Sequence, residues 1–161
     1  MDPRAAQLIT SLGLTPHPEG GYFREVYRSD GRVHPTDGRG ERAALTTIYF
    51  LLVAGQVSRW HRVAADEAWH YCEGAALELL TADEDFESVT REQLGVLTES
   101  AHPVHVVPAN RWQAARSTGA YTLVGCTVAP GFEFADFQML NADPNVTETV
   151  RRAHPDVARF I

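Results

Sequence analysis

The chain has 161 residues, of which 21 are acidic and 14 basic, for a formal net charge of −7. With 44% hydrophobic and 22% charged residues it has the make-up of a folded globular chain, not of a disordered one. The acidic balance argues against a binder of nucleic-acid backbone, and every basic residue is arginine, which excludes lysine Schiff-base chemistry, lysine-anchored pyridoxal phosphate and the P-loop lysine.

The elements follow in chain order. Asp2, Pro3 and Gly13 frame a short helix whose apolar stripe is Ala5, Leu8, Ile9 and Leu12. Residues 16–21, Pro-His-Pro-Glu-Gly-Gly, form a turn, and Tyr22 to Arg28 then reads as a strand. Residues 30–42 carry Gly31, Gly38, Gly40 and Pro35 among charged neighbours, which predicts a mobile surface loop or a lid. Leu45–Val53 is an apolar run of strand length. Strands are predicted at Val57–Val63, Ala68–Cys72, Ala76–Thr81, Ser88–Gln93, Val104–Val107, Arg111–Arg116 and Tyr121–Ala129, with a charged turn at 83–87. A terminal helix starts at Asp143-Pro144 and runs to about Ala153. This spacing predicts an all-β sandwich or barrel with a short helix at each end, and one domain over 1–161.

No stretch approaches the roughly 18 apolar residues of a membrane span. The N-terminal segment lacks the basic-then-apolar pattern of a signal peptide. Cys72 and Cys126 form no CxxC pair and are expected to be free, buried thiols of a cytoplasmic protein.

One spacing carries chemistry. Gly55, His61, Val63, Glu67 and Gly74 stand at the intervals of G-x5-H-x-H-x3-E-x6-G, with Val63 replacing the second histidine. Positions 61 and 63 share one strand face, and Glu67 returns on the neighbouring strand. A companion pattern, G-x5-P-x-G-x2-H-x3-N, falls on His102, Pro108, Asn110, Gln113 and Ser117, of which the proline alone is retained. Asn110 suits a glycine position because asparagine tolerates positive φ.

These motifs resemble the two signatures of the cupin superfamily, the RmlC-like jelly rolls. Further segments narrow the resemblance: Pro16 to Glu25, Ser58 to Arg62, Asp66 to His70, Arg111 to Ala114, Tyr121 to Cys126 and Val128 to Phe132. In this order they are similar to one cupin family catalogued as a domain of unknown function. The resemblance spans residues 8 to 160. It implies a double-stranded β-helix, usually dimeric, with a small-molecule pocket in the barrel mouth. Short edge strands that pair between subunits also favour a homodimer.

Complete cupin metal sites hold three histidines and one glutamate. The matching positions here offer His61, Glu67 and Gln113, a poor set for a transition metal, and His70 faces away by alternation. A divalent transition metal thus stays a candidate cofactor held by His61, Glu67 and Gln113, and a metal-dependent oxygenase or lyase stays one alternative. A non-catalytic metabolite-binding module is another. The leading expectation is proton transfer of the isomerase or epimerase kind, with His61 and Glu67 catalytic. Substrate contacts are expected from Arg24, which suits an anion, and from Trp69, Tyr71, Gln113 and Tyr121. Tyr22 and Tyr49 are further candidate acids. Trp60 and Trp112 have outward parity, and so has Ser58, read as a surface or cross-strand hydroxyl. His17 is placed to cover the pocket mouth.

Overall fold

The computed structural model describes residues 1–161. Helix α1 (Pro3–Leu12) leads into strands β1 (Thr15–Pro16), β2 (Tyr22–Arg28), β3 (Arg32–Val33), β4 (Arg42–Ala43), β5 (Thr46–Val53), β6 (Ser58–Val63) and β7 (Asp66–Gly74). Strands β8 (Leu77–Ala82), β9 (Val89–Leu94), β10 (Ala101–His102), β11 (Val104–Val107), β12 (Trp112–Ser117), β13 (Tyr121–Ala129) and β14 (Phe137–Met139) follow, and helix α2 (Pro144–Ala153) comes near the end. One six-stranded sheet has the order β1-β2-β5-β13-β7-β11 and a second the order β10-β9-β8-β12-β6-β14.

Three large apolar clusters hold these layers. Between the sheets, Leu52, Leu77, Leu79, Leu94, Val107 and Val124 are buried around Phe50 and Trp69. Each such side chain contributes about 1.5–3 kcal/mol by leaving water. On the outer face of the second sheet, Trp60 and Trp112 pack with Phe86 under Val150 of α2 and Val157 and Phe160 beyond it. Their outward parity is therefore met by the C-terminal segment. Helix α1 lays Ala5 and Leu8 on Leu51, Val53 and Leu123, on the outer face of the first sheet. Asp2 caps α1 and Asp143 caps α2, as the helix signals predict. No helix is long and apolar enough to cross a membrane.

Single-residue bulges interrupt three strands, and they decide what faces inward. In β2, Glu25 pairs Ile48 while Tyr27 pairs Thr47, so Val26 is the extra residue. In β6, Ser58 pairs Ala115 while His61 pairs Gln113, three steps against two. In β7, Tyr71 pairs Val124 while Glu73 pairs Leu123. A bulge reverses the alternation beyond it. Ser58 is consequently buried, not at the surface, and Arg28 joins Phe23 and Glu25 on the cavity side.

Two further expectations change. Cys72 is exposed, and Cys126 alone is a buried thiol. The segment 30–42 carries the β3–β4 ribbon, tied down by ion pairs. Arg42 grips both oxygens of Asp136 at 2.8 Å and Arg39 reaches the same carboxylate at 3.2 Å. The ribbon thereby anchors residues 134–136, the stretch that leads into β14.

Candidate functional site

A cavity of about 110 Å³ opens between the sheets. A single water needs about 10–15 Å³ on this kind of measure, so the space suits a compact ligand. His61 of β6 and Glu67 and Trp69 of β7 line it, as the motif spacing predicts. His17 and Glu19, from the turn before β2, line it too.

The turn is held in place by backbone contact. Gly20 takes φ +115°, and a Cβ there would lie 2.1 Å from the carbonyl oxygen of Val57. Glycine alone permits that approach. The backbone N–H of Arg59 donates to Glu19 O at 2.9 Å. The Arg59 guanidinium donates to the carbonyl oxygens of Pro18 and Glu19. These contacts set Glu19 against the start of β6.

Glu19 is 6% exposed and His61 2%. Ser58 Oγ donates to Glu19 Oε1 at 2.7 Å. Glu19 Oε2 lies 3.3 Å from His61 Nε2 and 3.4 Å from His17 Nδ1, so one carboxyl oxygen faces two imidazoles. His61 Nδ1 lies 2.7 Å from the Arg59 carbonyl oxygen. A carbonyl only accepts, so Nδ1 carries the hydrogen and Nε2 is the basic nitrogen.

Burial governs proton affinity here. It pushes the Glu19 carboxyl up to about 7, against the pull of His17, the Ser58 hydrogen bond and Arg59. Burial also lowers His61, with Glu67 opposing, and lowers His17, with Glu19 opposing. The Glu67 carboxyl rises for the same reason; His61 draws it back and Glu19 adds to the rise. Burial thus favours neutral imidazoles and disfavours the charged form of the carboxyl beside them.

Glu67 is positioned by a chain of buried donors. Gln113 Nε2 donates to Glu67 Oε2 at 2.5 Å, and Trp69 Nε1 donates to Gln113 Oε1 at 2.9 Å. Burial holds the Cys126 thiol well above its ordinary range, and the charges of Glu67 and Glu19 add to the rise. Aromatic rings close the rest. His17 packs edge-on to Phe23 at 4.5 Å and to Phe50 at 6.0 Å, and His61 lies 5.3 Å from Phe137.

Several predicted contacts lie elsewhere. Arg24 is on the exposed face of β2 and donates to Leu12 O at the end of α1. Tyr121 donates to Glu73, which also pairs with Arg4. Tyr71 donates to Gly74 O, and His70 is exposed. Gln113 does not line the cavity; both ends of its amide are occupied within the core. Arg28 is the arginine at the cavity, two bulge-shifted steps beyond Glu25. Tyr22 and Tyr49 pack against the α1 cluster.

The residues present do not fit the metal that the motif resemblance implies. Val63 is a buried hydrocarbon at the second histidine position, and the Gln113 oxygen already accepts from Trp69. Glu19, His17 and His61 are turned toward one another, and no group of three His, Cys, Asp or Glu side chains is disposed to hold a metal ion.

Residues 6–140 match the family described as Cupin superfamily (DUF985). The chain belongs to the cupin superfamily. A protein of Shewanella oneidensis is 33% identical over 97% of this chain and 95% of its own, with a TM-score of 0.84. A hypothetical protein from Leishmania major is 30% identical over 98% and 96%, also with a TM-score of 0.84. Oxalate decarboxylase from Bacillus subtilis is 13% identical over 91% of this cupin and 36% of its own chain, with a TM-score of 0.58, a likeness of fold alone. No functionally curated protein matches the sequence. The all-β double-stranded β-helix with short terminal helices is thus the family's fold. Within it, Glu19 is the residue that motif reading missed. Its signal was the turn itself: a carboxyl locked between two prolines and two glycines has a fixed place.

Proposed function

We propose that this cupin is a small-molecule enzyme of the isomerase or epimerase kind, moving a proton on a carbon acid bound in the cavity. The observation that carries the reading is the contact between His61 Nε2 and the buried Glu19 Oε2. His61 Nε2 takes the proton from carbon. Glu19, shared with His17, returns one to the adjoining oxygen or carbon. No atom is gained or lost overall, and no external oxidant is needed. Burial supports the roles, because it lowers the proton affinity of the imidazole and raises that of the carboxyl, bringing base and acid closer together. Glu67, steadied by Gln113, raises the proton affinity of His61 through its charge.

Solvent exchange tests this without knowledge of the final product. Small ketoses, aldoses and their amino-substituted analogues are incubated with the protein in D2O, and deuterium incorporation is followed by NMR. The wild type is expected to label at least one. His61→Ala is expected to lose about 10²–10⁴-fold in rate while keeping its circular dichroism. A folded His61→Ala protein with wild-type exchange sinks the proposal.

A homodimer is part of the same reading. The outer face of the first sheet beyond α1 leaves Tyr27, Val104 and Val106 exposed. Light scattering on the purified chain is expected to give twice the chain mass, and a monomeric mass removes the dimer.

A further inference from the structure

The charge pattern of the cavity points to a class of ligand, an inference that takes its location from the proposed active site. Four carboxyl groups line the space, those of Glu19, Glu25, Glu67 and Glu133, against one guanidinium, that of Arg28. Arg28 is fully engaged. Its Nε and Nη2 donate to Glu25 at 3.0 and 2.8 Å, its Nη1 to Glu133 at 2.9 Å, and Nη2 also to Phe132 O at 3.1 Å. An anionic ligand would therefore find no free cation and would have to displace an existing pair.

Glu19 and Glu67 show the opposite imbalance. Their side-chain hydrogen bonds come from neutral groups: Ser58 for Glu19 and Gln113 for Glu67. No arginine donates to either carboxyl. Around them stand six rings, Phe23, Phe50, Trp69, Phe132, Phe134 and Phe137. Phe134, at the mouth, is 57% exposed, a large apolar surface left open beside an apolar cavity. Ring faces attract a cation, and a buried carboxylate without a counter-ion is costly until one arrives.

We propose that the cavity binds a compact organic cation, an ammonium compound with apolar substituents, and discriminates against carboxylates. The carboxyl groups of Glu19 and Glu67 supply the opposing charge. The rings supply the faces on which the substituents pack. Arg28, locked between Glu25 and Glu133, keeps the mouth in shape and does not serve as an anion anchor.

Three probes of similar shape separate charge from fit: choline, its uncharged isostere 3,3-dimethyl-1-butanol, and trimethylacetate. Binding to the full-length protein is read by calorimetry and ligand-observed NMR at pH 8. Choline is expected to bind at least tenfold more tightly than the alcohol, with trimethylacetate weaker than either. Phe134→Ala is expected to weaken choline about three- to tenfold. Glu19→Gln is expected to shrink the preference for choline over the alcohol. Trimethylacetate binding as tightly as choline overturns the proposal. So does equal affinity for all three, or binding of none at millimolar concentration. Choline binding by a wild type that exchanges nothing removes the catalytic reading alone. Exchange without choline binding removes this one alone.

Discussion

Glu19 and Asp136 are both nearly sealed carboxyl groups, with side chains 8% and 4% exposed, and their surroundings are opposite. Asp136 meets two guanidiniums, and the Arg42 hydrogen bonds hold its carboxylate below the usual range. Glu19 meets a hydroxyl and two imidazoles, and burial lifts it to about 7. One is satisfied by charge and braces the segment that closes the cavity. The other is left short of charge and faces the cavity. Burial by itself therefore says little about a carboxyl's role; the partner's charge decides it.

Substituting each carboxyl by its amide sharpens this contrast most. Glu19→Gln is expected to cut the deuterium-exchange rate by about 10²–10⁴-fold. Asp136→Asn should leave that rate within about tenfold, because Asp136 acts through the backbone of its segment. Equal losses from the two would break the comparison.

Stability should move the other way. The folded protein holds a proton on Glu19 up to about pH 7, whereas the unfolded chain releases it near 4.5. Between those values the folded state binds more protons, so rising pH destabilises it. The loss begins above pH 4.5 and is complete once pH passes the folded value. Glu19→Gln removes this loss. The amide variant should gain on the wild type between pH 5 and 8 by up to roughly 3 kcal/mol, read from urea unfolding at both pH values. A gain that does not change with pH would show that Glu19 ionises freely in the fold.

Asp136→Asn should destabilise at every pH above 5, by about 2 kcal/mol, since Arg39 and Arg42 lose their shared partner. In thermal unfolding that is roughly 4–8 °C. The smallest effect belongs to Glu73, at the barrel's surface. Arg4 and Tyr121 hold its carboxyl down at about 2, yet its side chain is 36% exposed. Solvent screens such a pair, so Glu73→Gln should shift the melting midpoint by less than about 3 °C. A larger drop would place the Arg4 bridge among the main anchors of α1.

Much of the fold was legible because its strands are short, apolar and bounded by turn residues. Tyr121–Ala129 is a strand over its predicted length, and Asn110 takes φ +67° at a motif glycine position. Within the site, His61, Glu67 and Trp69 were found by interval and alternation. The same alternation misplaced Ser58, because one inserted residue reverses the parity beyond it, and Arg24 was chosen for its charge alone, while the bulge after Glu25 brings Arg28 to the cavity. Strand periodicity contains no sign of where a bulge falls. Gln113 shared the cavity's register, but its amide turned to Trp69 and Glu67, a choice that only packing makes. Glu19 stood outside any strand, where alternation has nothing to say.

The bulge in β2 has a consequence for how this chain tolerates change in length. Glu25, Tyr27 and Arg28 pair with Ile48, Thr47 and Thr46 in unbroken succession, and Val26 stands between them without a partner, exposed. Deleting Val26 would leave Arg28 opposite Thr46 and still facing Glu133. The middle of a pocket-lining strand thus accepts a one-residue gap more readily than the turn at Gly20, where the chain has no slack to give.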